Sequence, residues 1–69
     1  MSKWIAKWNG GYVDLSKMEA IHLVATCEDT TSEDYRVEVY ACVGPRKFKL
    51  RTFRHLDEAA VFARNVVTL

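Results

Sequence analysis

Residues 35–43 alternate strictly between two kinds of side chain. Tyr35, Val37, Val39, Ala41 and Val43 fall on one parity, and Arg36, Glu38, Tyr40 and Cys42 fall on the other. A period of two belongs to a β-strand with one face buried and the other turned to water. Before this run stand seven polar residues, 28–34, which cannot enter a core, and after it stands Gly44-Pro45-Arg46-Lys47, a turn by residue chemistry. Folding the chain about the polar stretch pairs Cys27 with Tyr35, Ala25 with Val37, Leu23 with Val39 and Ile21 with Ala41. Folding it about residues 44–47 pairs Val43 with Phe48, Ala41 with Leu50 and Val39 with Thr52. Both registers gather the apolar sets on one face, and a slip of one residue in either would scatter them. An antiparallel meander is the expected centre of the fold.

The flanks extend this reading. Asn9-Gly10 between two alternating runs is a hairpin signal, because a type I′ turn needs positive φ at both central residues. Such a turn puts Trp4, Ala6 and Trp8 on one face with Val13 and Leu15, on the core side with Val37, Val39 and Leu50. Ser16-Lys17 breaks the pattern, and a strand restarts near Glu19, so residues 12–15 are either a strand of their own or the start of the next one. From Leu56 the period changes: Leu56, Ala59, Ala60, Phe62, Ala63, Val66, Val67 and Leu69 fall within half the circumference of a helix. Asp57 and Glu58 in its first turn suit the helix dipole, and His55 takes the cap position. A helix this short needs tertiary packing, so its apolar face must cover the sheet. The expected fold is α+β, an antiparallel meander of four or five short strands with one carboxy-terminal helix, from about 56 to 67, packed on one face. With 69 residues the chain makes a single domain with a small core.

That size leaves no room for a nucleotide-binding fold or a barrel enzyme. Neither His22 nor His55 has a partner at a recognisable catalytic spacing, and no helix follows Gly10-Gly11 to make a phosphate loop. Cys27, Cys42, His22 and His55 show no Cys-x-x-Cys or His-x3-His spacing, so no metal or other cofactor is expected. Cys27 and Cys42 have opposite parity, point to opposite faces and should not form a disulfide. No apolar run approaches the roughly 18 residues that span a membrane. The amino-terminal run alternates charged and apolar residues without the apolar stretch of a secretory signal, so a cytoplasmic location is expected.

Charge placement says more than the net charge of +1. Arg46, Lys47, Lys49, Arg51 and Arg54 lie within residues 46–54 without an acid, and Glu28, Asp29, Glu33 and Asp34 lie within residues 28–34 without a base. In the meander the acidic loop and the basic turn stand at opposite ends of the central strand, a placement that steers association. The outer sheet face is read to carry Arg36, Glu38, Tyr40 and Cys42 beside Lys49, Arg51 and Phe53. Aromatic and Arg side chains there are what protein–protein hot spots use, and also what stacks bases and pairs phosphates on a single strand. Glu38 in the middle and the near-neutral charge weigh against nucleic acid.

Gly11-Tyr12-Val13-Asp14-Leu15-Ser16-Lys17-Met18-Glu19-Ala20-Ile21, then a basic hairpin and Phe53-Arg54-His55-Leu56-Asp57-Glu58-Ala59-Ala60-Val61-Phe62, resembles the layout of small stand-alone bacterial and phage α+β proteins. Proteins of this size include phage inhibitors of host defence, the anti-CRISPR proteins, which block a protein surface without catalysis. The resemblance implies a non-catalytic protein-binding module that occludes a surface or nucleic-acid channel of a larger complex. Its candidate contacts are the basic and aromatic set Arg36, Tyr40, Arg46, Lys47, Lys49, Arg51 and Phe53, and the acidic set Glu28, Asp29, Glu33 and Asp34, which could imitate phosphates. The expected state is a monomer or weak homodimer, with single-stranded nucleic-acid binding by the outer face as the alternative.

Overall fold

The computed structural model describes residues 3–68; Met1, Ser2 and Leu69 lie outside them, Leu69 being one of the residues read as apolar helix face. In chain order come β1 (Trp4–Ala6), β2 (Tyr12–Asp14), a 3-10 turn (Leu15–Lys17), β3 (Ala20–Ala25), β4 (Val37–Val43), β5 (Arg46–Phe53) and α1 (Leu56–Val67). All strand pairs are antiparallel, so the α+β class stands as expected. The strands form two sheets, a β1–β2 hairpin and a three-stranded meander β3–β4–β5. One backbone bond, from the Trp8 N–H to the Lys49 carbonyl at 2.9 Å, ties the hairpin to the free side of β5. The 3-10 turn explains the break before β3: Asp14 accepts from the Ser16 amide and hydroxyl at 3.0 and 2.7 Å and so stops the strand.

The β3–β4 register is the expected one, with Ile21 opposite Ala41, Leu23 opposite Val39 and Ala25 opposite Val37. The regular ladder starts at Val37 rather than at residue 35, although the Thr26 amide still reaches the Arg36 carbonyl. The β4–β5 register differs from expectation. The turn closes on Gly44 and Pro45 alone, so Arg46 and Lys47 belong to β5. Gly44 at φ 58° followed by proline fits the two-residue loop whose first central residue must be glycine. Val43 consequently pairs with Arg46, Ala41 with Phe48 and Tyr40 with Lys49. A β-bulge then intervenes, and Val39 pairs with Arg51 and Val37 with Phe53. Leu50 is the extra residue.

The bulge has a physical cause. Phe48 and Phe53 differ in parity, and no regular strand can aim both at one face. Inserting Leu50 lets Phe48, Leu50 and Phe53 all join the core around Val37, Val39 and Ala41. A forgone ladder bond costs roughly 0.5–1.5 kcal/mol net. Burying an aromatic side chain in full is worth roughly 1.5–3 kcal/mol, so even partial burial offsets the loss.

A second parity change affects the hairpin. Among the described residues positive φ occurs only at glycines, Gly10 and Gly11 included, so Asn9 does not make a type I′ turn. The loop is one residue longer, closed by the Lys7 amide on the Gly11 carbonyl at 3.0 Å, and Ile5 pairs with Val13. Ile5 and Val13 therefore face the core, while Trp4 and Trp8 stand 58% and 57% exposed instead of beside Val37.

Helix α1 has the expected bounds. It lays Ala59, Ala63 and Val66 on the sheet, positions one turn apart along one stripe, and the two alanines allow close approach. Leu56 and Val67, read as part of that stripe, are more than half exposed. Leu50→Ala should lower stability by about 2–5 kcal/mol, whereas Trp4→Ala should stay within roughly 0.5 kcal/mol. Urea unfolding followed by circular dichroism tests both, and a larger loss for Trp4→Ala would place that side chain back in the core.

Candidate functional site

The bulge also decides which charged and aromatic side chains meet. Lys47, Lys49 and Thr52 stay on the outer face of the meander, opposite Cys42, Tyr40 and Glu38. Arg51 and Phe53 pass to the helix side, so they do not share a face with Tyr40 as expected. Two separate surfaces result, together with the acidic loop.

On the outer face the polar groups satisfy one another. Lys49 Nζ lies 2.8 Å from Glu38 Oε2, and the Tyr40 hydroxyl donates to Glu38 Oε1 at 3.1 Å. The hydrogen bond from Lys49, helped by the one from Tyr40, holds the Glu38 carboxyl below its ordinary value of 4.5. The same bond raises Lys49, while partial burial and then the Glu38 carboxylate raise Tyr40. His22, opposite Tyr40, brings Nδ1 to 3.7 Å from the Cys42 sulfur; the pairing with Tyr40 was expected, the contact with Cys42 was not. Cys42 is buried opposite Lys47 rather than Lys49, and both Cys42 and Cys27 are free thiols. Arg36 folds back onto its own loop, its Nη1 donating to the carbonyls of Glu33 and Tyr35 at 2.8 and 2.7 Å. Lys49 and Arg36 are thus already engaged on this face, whereas Lys47 is exposed.

The helix side offers an open groove of about 450 Å³ between β5 and α1. Arg51 and Phe53 supply its sheet wall, and Glu58, Val61, Phe62 and Asn65 supply its helix wall, with Asp57 at the end. Positions 58, 61, 62 and 65 are spaced as one helical stripe, which is why they line it together. The Phe53 and Phe62 rings lie 5.3 Å apart at 49°, and the Arg51 guanidinium sits 5.1 Å over the Phe62 ring. Stacking of this kind holds a guanidinium in place while leaving its edge donors free. Val61 is 52% exposed at the lip. Sequence reasoning found Arg51 and Phe53 but missed Phe62, Asp57 and Glu58 as site residues; their helical spacing was the available signal.

A second, smaller cleft of about 310 Å³ lies where the hairpin meets β5, lined by Lys7, Trp8, Asn9, Lys47, Phe48 and Lys49. Lys7 Nζ is 5.1 Å from the Phe48 ring centre and Lys49 Nζ is 5.3 Å from that of Trp8. Lys7 and Trp8 escaped the sequence reading because the expected hairpin register turned Trp8 inward.

The acidic loop precedes β4 and the Gly44-Pro45 turn follows it, so the two do stand at opposite ends of that strand. Arg46 and Lys47 are exposed at the basic end, but antiparallel β5 carries Arg54 back to the acidic one. Asp29 is a turn-former here. Its Oδ1 accepts from the Thr31 hydroxyl and amide at 2.6 and 2.9 Å, bonds that hold its carboxyl below the ordinary value. Glu28, Glu33 and Asp34 are exposed.

Among the described residues, no three His, Cys, Asp or Glu side chains gather within reach of one metal ion, and no helix is long and apolar enough to cross a membrane. Compared with protein-family models, curated proteins and solved structures, the chain finds no match in any of the three.

The Glu38 carboxyl gives a pH prediction. Because its folded value is depressed, its contribution is full above the unfolded value and is lost as pH falls through the folded one. Denaturant midpoints followed downward from pH 6 should therefore fall less in Glu38→Gln than in the unsubstituted chain, and parallel curves would show that Lys49 does not hold Glu38 in the folded state.

Proposed function

We propose that this chain is a non-catalytic protein-binding module whose principal contact is the groove between β5 and α1. The observation that carries the reading is the Arg51–Phe62–Phe53 cluster, an aromatic pair with a stacked guanidinium, open to solvent and rimmed by acids. Arg and aromatic side chains in pockets are the groups that anchor protein interfaces. The apolar floor with Asp57 and Glu58 on its rim suits a partner segment that presents an aliphatic or aromatic side chain next to a Lys or Arg. Size and layout support the inhibitor reading, in which a small phage-type protein of the anti-CRISPR kind occludes a surface or nucleic-acid channel on a larger complex. The exposed acids Glu28, Glu33 and Asp34 add a phosphate-like element at one end, while Arg46 and Lys47 stand at the other. Such charge separation speeds encounter more than it tightens the final complex.

Capture of a bacterial defence complex by the tagged chain is expected to weaken about tenfold or more in Arg51→Ala and in Val61→Arg. Both side chains are exposed, so the fold should remain native by circular dichroism. Charge reversal with Glu28→Lys and Asp34→Lys, which spares the turn-forming Asp29, set against Arg46→Glu and Lys47→Glu, separates phosphate mimicry from basic contact. Capture indifferent to all these changes would reject the groove and both charged ends.

A second reading has its own observation. Lys7, Lys47 and Lys49 surround the Trp8 and Phe48 rings, a combination that suits stacked bases and their phosphates. On this reading the single strand would lie at the hairpin junction rather than on the outer sheet face. A labelled oligonucleotide should then bind with an affinity that falls steeply with salt, and Trp8→Ala should weaken it. No change in anisotropy at low salt removes this reading.

A further inference from the structure

The two long edges of the meander are built differently. β5 carries Arg46, Lys47, Lys49 and Arg51, contains the bulge, and gives its Lys49 carbonyl to the hairpin. Charge, bulges and covering elements are the devices that keep an edge strand from pairing with another chain. β3, at the opposite edge, has none of them. Its sequence is Ala20-Ile21-His22-Leu23-Val24-Ala25, with no proline, no Lys, Arg, Asp or Glu, and a regular register along its whole length. Leu23 and Val24 are 40% and 44% exposed.

The direction of its backbone groups follows from the ladder. The Thr26 amide bonds the Arg36 carbonyl, so Thr26 is a residue whose backbone faces β4. In an antiparallel pair these residues alternate, which directs Val24, His22 and Ala20 toward β4 as well. Ile21, Leu23 and Ala25 therefore hold their N–H and C=O groups outward, along an edge where no backbone group of the described residues bonds them.

We propose that β3 pairs with β3 of a second copy, antiparallel about a two-fold axis at Leu23, joining two three-stranded sheets into one. In that register Leu23 meets Leu23 of the second copy, Ile21 meets Ala25 and His22 meets Val24, so like charges never oppose each other within the strand. Charge at the strand ends selects this orientation. Exposed Lys17 and Glu19 offset each other before β3, whereas exposed Glu28 and Asp29 follow it. The two-fold axis sets the neutral end of one copy beside the acidic end of the other, while parallel pairing would bring the acidic ends together. One strand pair buries little surface, so association is weak and depends on concentration. It leaves the β5–α1 groove free and does not rest on the function proposed for it.

Light scattering after size exclusion, over a dilution series reaching millimolar protein, should show a monomer–dimer equilibrium. Amide exchange at Ile21, Leu23 and Ala25 should slow as concentration rises. Leu23→Pro removes an outward N–H without touching the bonds to β4, and should weaken association about tenfold or more while circular dichroism stays native. Should Leu23→Pro lose that spectrum, Leu23→Lys answers the same question by setting two lysines against each other across the axis. A monomer at every concentration, or a dimer that persists in the natively folded variant, overturns the proposal.

Discussion

Phe48, Leu50 and Phe53 cannot all face one side of a regular strand, and the way β5 resolves this conflict shapes most of the molecule. The extra residue at Leu50 costs little ladder bonding and returns a continuous apolar cover over Val37, Val39 and Ala41, which are 1%, 0% and 0% exposed. Past the bulge, parity is reversed. Arg51 and Phe53 then meet Phe62 across the groove, while Lys49 stays behind with Glu38 and Tyr40. One backbone irregularity thus sorts the basic residues of β5 into two groups with different work. Lys49 is held in an ion pair, and Arg51 is stacked at the mouth of a groove.

The same conflict between alternation and loop length recurs at the amino terminus. A three-residue loop in place of a two-residue one turns Ile5 and Val13 inward and leaves both tryptophans outside. In a chain with so small a core this is affordable only because Val13, Met18 and Phe48 fill the hairpin side of the cluster without them. The outward tryptophan at the loop then joins the lysines of β5 at the second cleft. Large exposed aromatics at the hairpin and half-buried ones along the β5–α1 groove make the surface of this protein more informative than its core.

Much of the architecture was legible in local pattern. The β3–β4 register, the bounds of α1 and the opposite faces of Cys27 and Cys42 all follow from periodicity, which local side-chain geometry imposes regardless of context. Candidate site residues were legible one by one, including Arg51 and Phe53. Their grouping was not, because grouping depends on which face each residue takes.

Sequence by itself determined the strands and helix, the class of fold and the charged ends, since each is set by neighbours a few positions away. Tertiary structure decided the faces. A bulge and a loop length each change parity by one, and neither leaves a mark in alternation until distant side chains compete for the same core. Whether Leu50 is an extra residue depends on what Phe53 finds at Phe62, a contact between β5 and α1 that no strand pattern contains. Packing chooses between registers that local preference leaves nearly equal in energy, so the surface built on those registers becomes readable only once the chain is folded.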